Sequence, residues 1–153
     1  LRFGRDQQFV HFLLTYFRYP WGANAWTGVA FGNSMRDGLD FIAVRILENR
    51  VLISDEFIRG FRPPWSDASQ DVVIHSVTFI GGNLRVQFTR PLQSADIADF
   101  SLAGCLPWQF PTVLSPVGLD GHIHKHVVTP ERTIVCIDRC PCVFNSTSNP
   151  CGL

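Results

Sequence analysis

Residues 83–90, "NLRVQFTR", alternate without interruption: Leu84, Val86 and Phe88 against Arg85, Gln87 and Thr89. Successive side chains of an extended chain leave on opposite sides, so a period of two marks a strand with one face on a core and the other in water. "FIAVRIL" at 41–47 and "VVIHSVTFI" at 72–80 are β-branched runs of strand length. Turn signals separate such runs: "YPWGAN", "RDG", "LENR", "RPPWSD", "IGGN" and "SPVGLDG". They recur roughly every ten to fifteen residues, and Gly81-Gly82-Asn83 reads as a tight hairpin. The longest stretch compatible with an amphipathic helix is "SADIADF". The pattern predicts an all-β fold of seven to ten short strands, an antiparallel two-sheet β-sandwich of immunoglobulin-like architecture. It spans residues 1–138 and is followed by a Cys-rich tail over 139–153.

Size and charge bound the function. At 153 residues the chain makes one domain and buries roughly 68–70% of its unfolded surface. Thirteen Lys and Arg balance thirteen Asp and Glu, so the broad positive field of a nucleic-acid binder is missing. The apolar runs fall short of the roughly 20 residues that cross a bilayer, so we expect no membrane span. The chain begins at Leu1 without a charged-then-apolar leader and reads as a processed protein or an excised segment. Cys105, Cys136, Cys140, Cys142 and Cys151 lie in its last third, beside a glycosylation sequon at Asn145-Ser146-Thr147. We therefore expect an extracellular glycoprotein, secreted or an ectodomain, with a disulfide joining Cys105 to Cys136 or Cys140. Closure of Cys140 on Cys142 is disfavoured by the Cα separation a disulfide needs. A zinc knuckle of Cys136, Cys140 and Cys142 is the rival, although paired CxxC spacing is absent.

Met35 is the sole methionine, and it stands in a turn-like "NSMRDG" rather than in an apolar run, where its flexibility would fill core gaps. The strand before it has an uneven face, with Trp26 followed by Gly28, Ala30 and Gly32, while Thr27, Val29 and Phe31 point the other way. Such a bare patch is either a bulge or a place where the second sheet comes close, or the seat of a flat ligand. His122, His124 and His126 recur at spacing two, which in an extended segment puts them on one face about 6.6 Å apart. They admit three readings: a solvated loop, a zinc site with an open position, or one haem ligand and two spectators. His11 and His75 fall in other strands and read as satisfied sheet histidines. No Ser or Cys has a nucleophile-elbow context and no carboxylate pair is marked out, which favours a non-catalytic module over an enzyme.

"WTGVAFGNSMRDGLDFIAVRI", then "VLISDEFIRGFRPPWSDASQDVVI", then "LRVQFTRPLQSADIADFSL", then a late His-bearing segment together resemble the DOMON domain over about residues 9 to 138. The resemblance implies two packed antiparallel sheets. In the cytochrome branch of the family it implies a non-covalent haem b held between a Met and a His. Met35 stands where that Met would be; the His is carried over to His126, beside the returning strand, with His124 as second choice. Trp26, Phe31, Phe41 and Trp108 would supply dry walls, although each also reads as an ordinary core residue. A thioether and an imidazole fill both axial positions, which favours one-electron transfer to an unknown redox partner, or to further domains of a longer chain, over oxygen activation. Other members of the family imply a cofactor-free sugar-binding or adhesion module, and the His cluster leaves zinc as a third course; self-association is a further expectation for this chain.

Overall fold

The computed structural model describes residues 1–140. The strands are β1 (Arg2–Arg5), β2 (Phe9–Tyr16), β3 (Ala25–Ser34), β4 (Gly38–Leu47), β5 (Arg50–Ile58) and β6 (Trp65–Ser66). They continue as β7 (Val73–Ile80), β8 (Asn83–Pro91), β9 (Cys105–Phe110), β10 (Ser115–Pro116) and β11 (Glu131–Cys136). One 3-10 turn, Ile137–Arg139, follows. Every strand pairing is antiparallel, and the strands form a four-stranded sheet in the order β1-β2-β8-β7 and a seven-stranded sheet in the order β11-β9-β3-β4-β5-β6, with β10 on β3. The two-sheet antiparallel β-sandwich read from the alternation is therefore present. The strand count exceeds the expected range because two-residue pairings at 65–66 and 115–116 carry no periodicity to read.

"SADIADF" is not helical. Its Ser and Asp side chains bond the local backbone instead: Ser94 Oγ accepts from Asp96 N–H (3.0 Å) and Asp96 Oδ1 from Ala98 N–H (2.8 Å). At Gly81-Gly82 the expected hairpin forms, with Ile80 opposite Asn83 and φ of +58° and +74°, values that only glycine adopts without cost.

Between the sheets, Val10, Phe12 and Leu14 of β2 and Leu84, Val86 and Phe88 of β8 meet Val29, Phe31, Ile42, Val44 and Ile46 of β3 and β4. Phe12 stacks on Phe88, and the Trp108 ring meets Phe31 edge-on at 5.1 Å. β3 and β4 are unusual in being buried on both faces. Their second face carries Trp26, Ala30, Leu39, Phe41 and Ala43, which form a separate apolar cluster with Ile58 and Val117. Burial on both faces explains why "WTGVAF" and "FIAVRIL" read as near-continuous apolar runs instead of alternating. The long segment 111–130 covers that second face.

Cys105 and Cys136 are directly opposed in the β9–β11 register and form a disulfide across a separation of 31 residues. One of the two expected pairings is thus present, and the bridge closes the base of the segment that carries the three histidines. Cys140 is also disulfide-bonded, so neither it nor Cys136 is available to a zinc knuckle. Asn145, Cys142, Cys151 and the rest of the tail lie outside the described residues. Among the described residues, no helix is long and apolar enough to cross a membrane.

Candidate functional site

The outer face of the seven-stranded sheet does not close completely. A cavity of about 1040 Å³ opens there, at the upper end of the roughly 300–1,000 Å³ usual for cofactor and ligand pockets. Its apolar walls come from Trp26, Ala30, Leu39, Phe41, Ile58 and Ile123. Met35 lines it from the β3–β4 turn, and His124 and His126 line it from the segment after β10. Side chains about ninety residues apart in the chain are brought together by that covering segment.

Backbone and side-chain hydrogen bonds hold the two loops. The Trp26 indole N–H donates to the His124 carbonyl (2.9 Å), and His124 N–H donates to the Pro116 carbonyl (3.2 Å). Val127 N–H donates to Ser115 Oγ (3.1 Å). Arg45 Nε donates to the Gly121 carbonyl (2.8 Å) while its Nη1 pairs with Glu56 Oε1 (2.6 Å), so a strand residue fixes the loop and is itself fixed. On the other side, Gly60 N–H donates to the Met35 carbonyl (2.6 Å), which couples the β3–β4 turn to the β5–β6 loop.

The histidines do not form an extended strand with one common face. Residues 121–130 are irregular apart from the isolated bridge Val117–Ile123. His122 is exposed, lies 3.9 Å from the Asp120 carboxylate and does not line the cavity. His124 Nε2 lies 3.5 Å from where a Cβ on Gly118 would stand, so its ring leans on the loop backbone. His126 is half-buried. Among the described residues, the three histidines are not gathered into a cluster of metal-ligand distance. His11 meets Asp6 Oδ2 (2.7 Å) and His75 meets Thr89 Oγ1 (2.8 Å), as satisfied sheet histidines.

The bare patch on β3 is filled at Gly28 from the neighbouring strand β4 of the same sheet, not by approach of the second sheet and not by a ligand. A Cβ on Gly28 would fall 2.7 Å from the Phe41 ring and closer still to the Ile42 carbonyl, so glycine is there to admit the protein's own aromatic ring. Phe41, edge-on to Trp26 at 5.8 Å, then becomes part of the cavity wall. Phe31 and Trp108 lie on the opposite face inside the inter-sheet core and do not reach the cavity, so for these two the ordinary core reading holds and the wall reading does not. The parity of β3 separates Phe31 from Trp26 by an odd number of residues, and odd steps change face.

Sequence reading also missed a buried charge cluster. Arg90, wholly buried, leaves β8 and crosses between the sheets to Asp40 Oδ2 (2.6 Å), Asp99 Oδ1 (3.2 Å) and Asp55 Oδ2 (3.9 Å), with the Phe31 ring 5.3 Å away. Asp40 Oδ2 also accepts from Phe100 N–H (2.7 Å). Burial pushes the Asp40 and Asp55 carboxyls up to about 7 and about 8, against the pull of Arg90. Burial likewise works against the Arg90 charge, but the three carboxylates outweigh it and raise its pKa. The signal was available in the alternation: Arg90 has the same parity as Leu84, Val86 and Phe88, and Asp40 the same as Ile42 and Val44.

A model of the DOMON domain family matches residues 3–112, which takes in Met35 and stops before the histidine-bearing segment. A DOMON domain-containing protein of Caenorhabditis briggsae is 32% identical over 110 residues, covering 67% of this chain. The aligned part is 56% of that relative's length, so this chain matches little more than half of it. With the sandwich, the family match and the relative in agreement, the chain belongs to the DOMON domain family.

Proposed function

We propose that the cavity on the outer sheet face binds haem b, with Met35 and His126 as axial ligands, and that the domain transfers single electrons outside the cell. The observation that carries this reading is the convergence of the sole methionine and two histidines on one apolar cavity of about 1040 Å³. The donor set fits: a thioether sulfur and an imidazole nitrogen are a recognised pair for low-spin haem iron, and an iron porphyrin supplies a one-electron couple when so bound. Trp26, Leu39, Phe41 and Ile58 give the site apolar walls, and backbone hydrogen bonds at His124 and Met35 tie down the two loops that carry the donors. His126 is preferred to His124 because the His124 ring leans towards Gly118. A soft thioether favours the ferrous form, so the potential would be higher than with two nitrogen ligands. The Cys105–Cys136 disulfide supports an oxidising compartment.

The absorbance spectrum of the purified, haem-reconstituted protein tests this reading. A sharp Soret band with split α and β bands on reduction is expected. His126→Ala should lose haem on gel filtration, and Met35→Ala should retain it with an altered reduced spectrum. Loss of haem in His124→Ala instead would move the ligand. A reduced spectrum unchanged in Met35→Ala would remove Met35 from the site. A second reading, a cofactor-free sugar-binding or adhesion module, draws on Phe61, 80% exposed at the cavity mouth, as a ring on which a sugar could stack. A colourless protein that takes up no added haem and binds a glycan array through Phe61 would favour it.

A further inference from the structure

The whole chain is electrically balanced, yet the mouth of the cavity is not. Three exposed cations line it: Arg36 beside Met35 in the β3–β4 turn, Arg62 in the β5–β6 loop, and Lys125 between the two cavity histidines. Among the described residues none of the three is ion-paired. Asp37, the carboxylate in the lining, accepts the Ser34 hydroxyl at Oδ2 (2.7 Å), and the lining carries three cations against this one anion. Each of the three loops that frame the mouth thus contributes one cation, above apolar walls of Trp26, Leu39, Phe41 and Ile58. A neutral ligand would leave these charges unused. Their placement matches an amphipathic molecule whose apolar body enters the cavity and whose acidic groups stay at the entrance.

We propose that Arg36, Arg62 and Lys125 select a tetrapyrrole through the carboxylates on one of its edges, independently of any metal at its centre. The inference rests on the cavity reading above and deepens it, since it assigns ligand choice to charges at the mouth rather than to Met35 and His126. Ion pairs at a wet mouth are individually weak, and three acting on two carboxylates amount to about tenfold in affinity at low salt.

Fluorescence titration with metal-free protoporphyrin IX and with its dimethyl ester provides the test, because neither probe can use the axial ligands. The wild-type protein should bind the free acid about tenfold more tightly than the ester, and the preference should shrink at high salt. In the Arg36→Glu/Arg62→Glu/Lys125→Glu variant the preference should vanish while the affinity for the ester stays within about twofold of wild type. All three side chains are exposed, and circular dichroism checks that the fold is retained; Arg36→Gln/Lys125→Gln should give an intermediate preference. Equal binding of acid and ester by the wild type, uptake of neither, or a preference that survives charge reversal would each overturn the proposal. If haem binds with Met35-dependent spectra but protoporphyrin does not, the haem reading stands and this inference falls. If the free acid is preferred through the three cations while haem spectra ignore Met35 and His126, the inference stands and that ligand assignment falls.

Discussion

The two faces of the seven-stranded sheet are built from the same strands and behave differently. On the inner face, Phe31, Ile42, Val44 and Ile46 interdigitate with the second sheet, and even the charged Asp40 and Asp55 there meet Arg90 of the second sheet, with Asp99 joining from the loop after β8. On the outer face, Trp26, Leu39, Phe41 and Ile58 are covered by an irregular segment that leaves a cavity of about 1040 Å³. A regular sheet can fill the gaps of its partner sheet because both surfaces repeat. A loop cannot do so over the same area, and the residual volume is available to a ligand. One strand therefore alternates, residue by residue, between holding the fold together and lining a candidate site.

The largest effect should come from breaking the inner face. Arg90→Met leaves Asp40, Asp55 and Asp99 buried without their cation and should cost about 3–5 kcal/mol by denaturant unfolding above about pH 8, where Asp40 and Asp55 have lost their protons. An exposed cation of the outer face, such as Arg36, should change stability by less than about 0.5 kcal/mol when replaced by Gln. Comparable losses at both positions would erase the contrast.

Replacing Cys105 and Cys136 together by Ala opens a 31-residue loop and should cost about 3–4 kcal/mol. Because that loop carries His124 and His126, limited proteolysis should cut the double variant first within residues 111–130, with the sandwich strands surviving longer. First cleavage elsewhere would show that the covering segment does not depend on the bridge.

A smaller, pH-dependent effect separates the faces by charge. Asp55 has its carboxyl raised to about 8 in the fold, so between its ordinary value near 3.8 and about 8 the native state holds a proton that the unfolded chain has released. Stability then falls as pH rises through that window. Asp55→Asn cannot titrate, and the advantage of the variant over the wild type should grow from pH 4 to pH 8 and then level. Thermal melts across that range would show a constant gap if Asp55 were not the group responsible.

Met35→Ala is the gentlest test. The side chain is half-buried and packs against the Trp26–Leu39–Phe41 cluster, so its removal should cost about 1 kcal/mol, a fraction of the roughly 2–5 typical of a buried methionine. It is thus less detached from packing than its turn position suggests. A loss above about 3 kcal/mol would place Met35 in the core rather than on the cavity wall.

The alternation of Leu84, Val86 and Phe88, the Gly81-Gly82 turn and the doubly apolar runs of β3 and β4 determine strands, a hairpin and two buried faces directly, because each depends on steric and solvation preferences over a few neighbouring residues. The same parity extends to Arg90 and Asp40 and foretells that both point inwards. It does not foretell that they meet, since Arg90 belongs to one sheet and Asp40 to the other. Composition and spacing singled out Met35 and the histidines, and family likeness paired them as candidates. Only the tertiary structure decided that His124 and His126 reach the cavity while His122 does not, that Phe31 and Trp108 belong to the core, and that Arg36, Arg62 and Lys125 share one mouth. Those outcomes depend on how an irregular segment held by Trp26, Arg45 and a disulfide lies across a sheet, and contacts at sequence separations of 76 and 98 leave no local period to read.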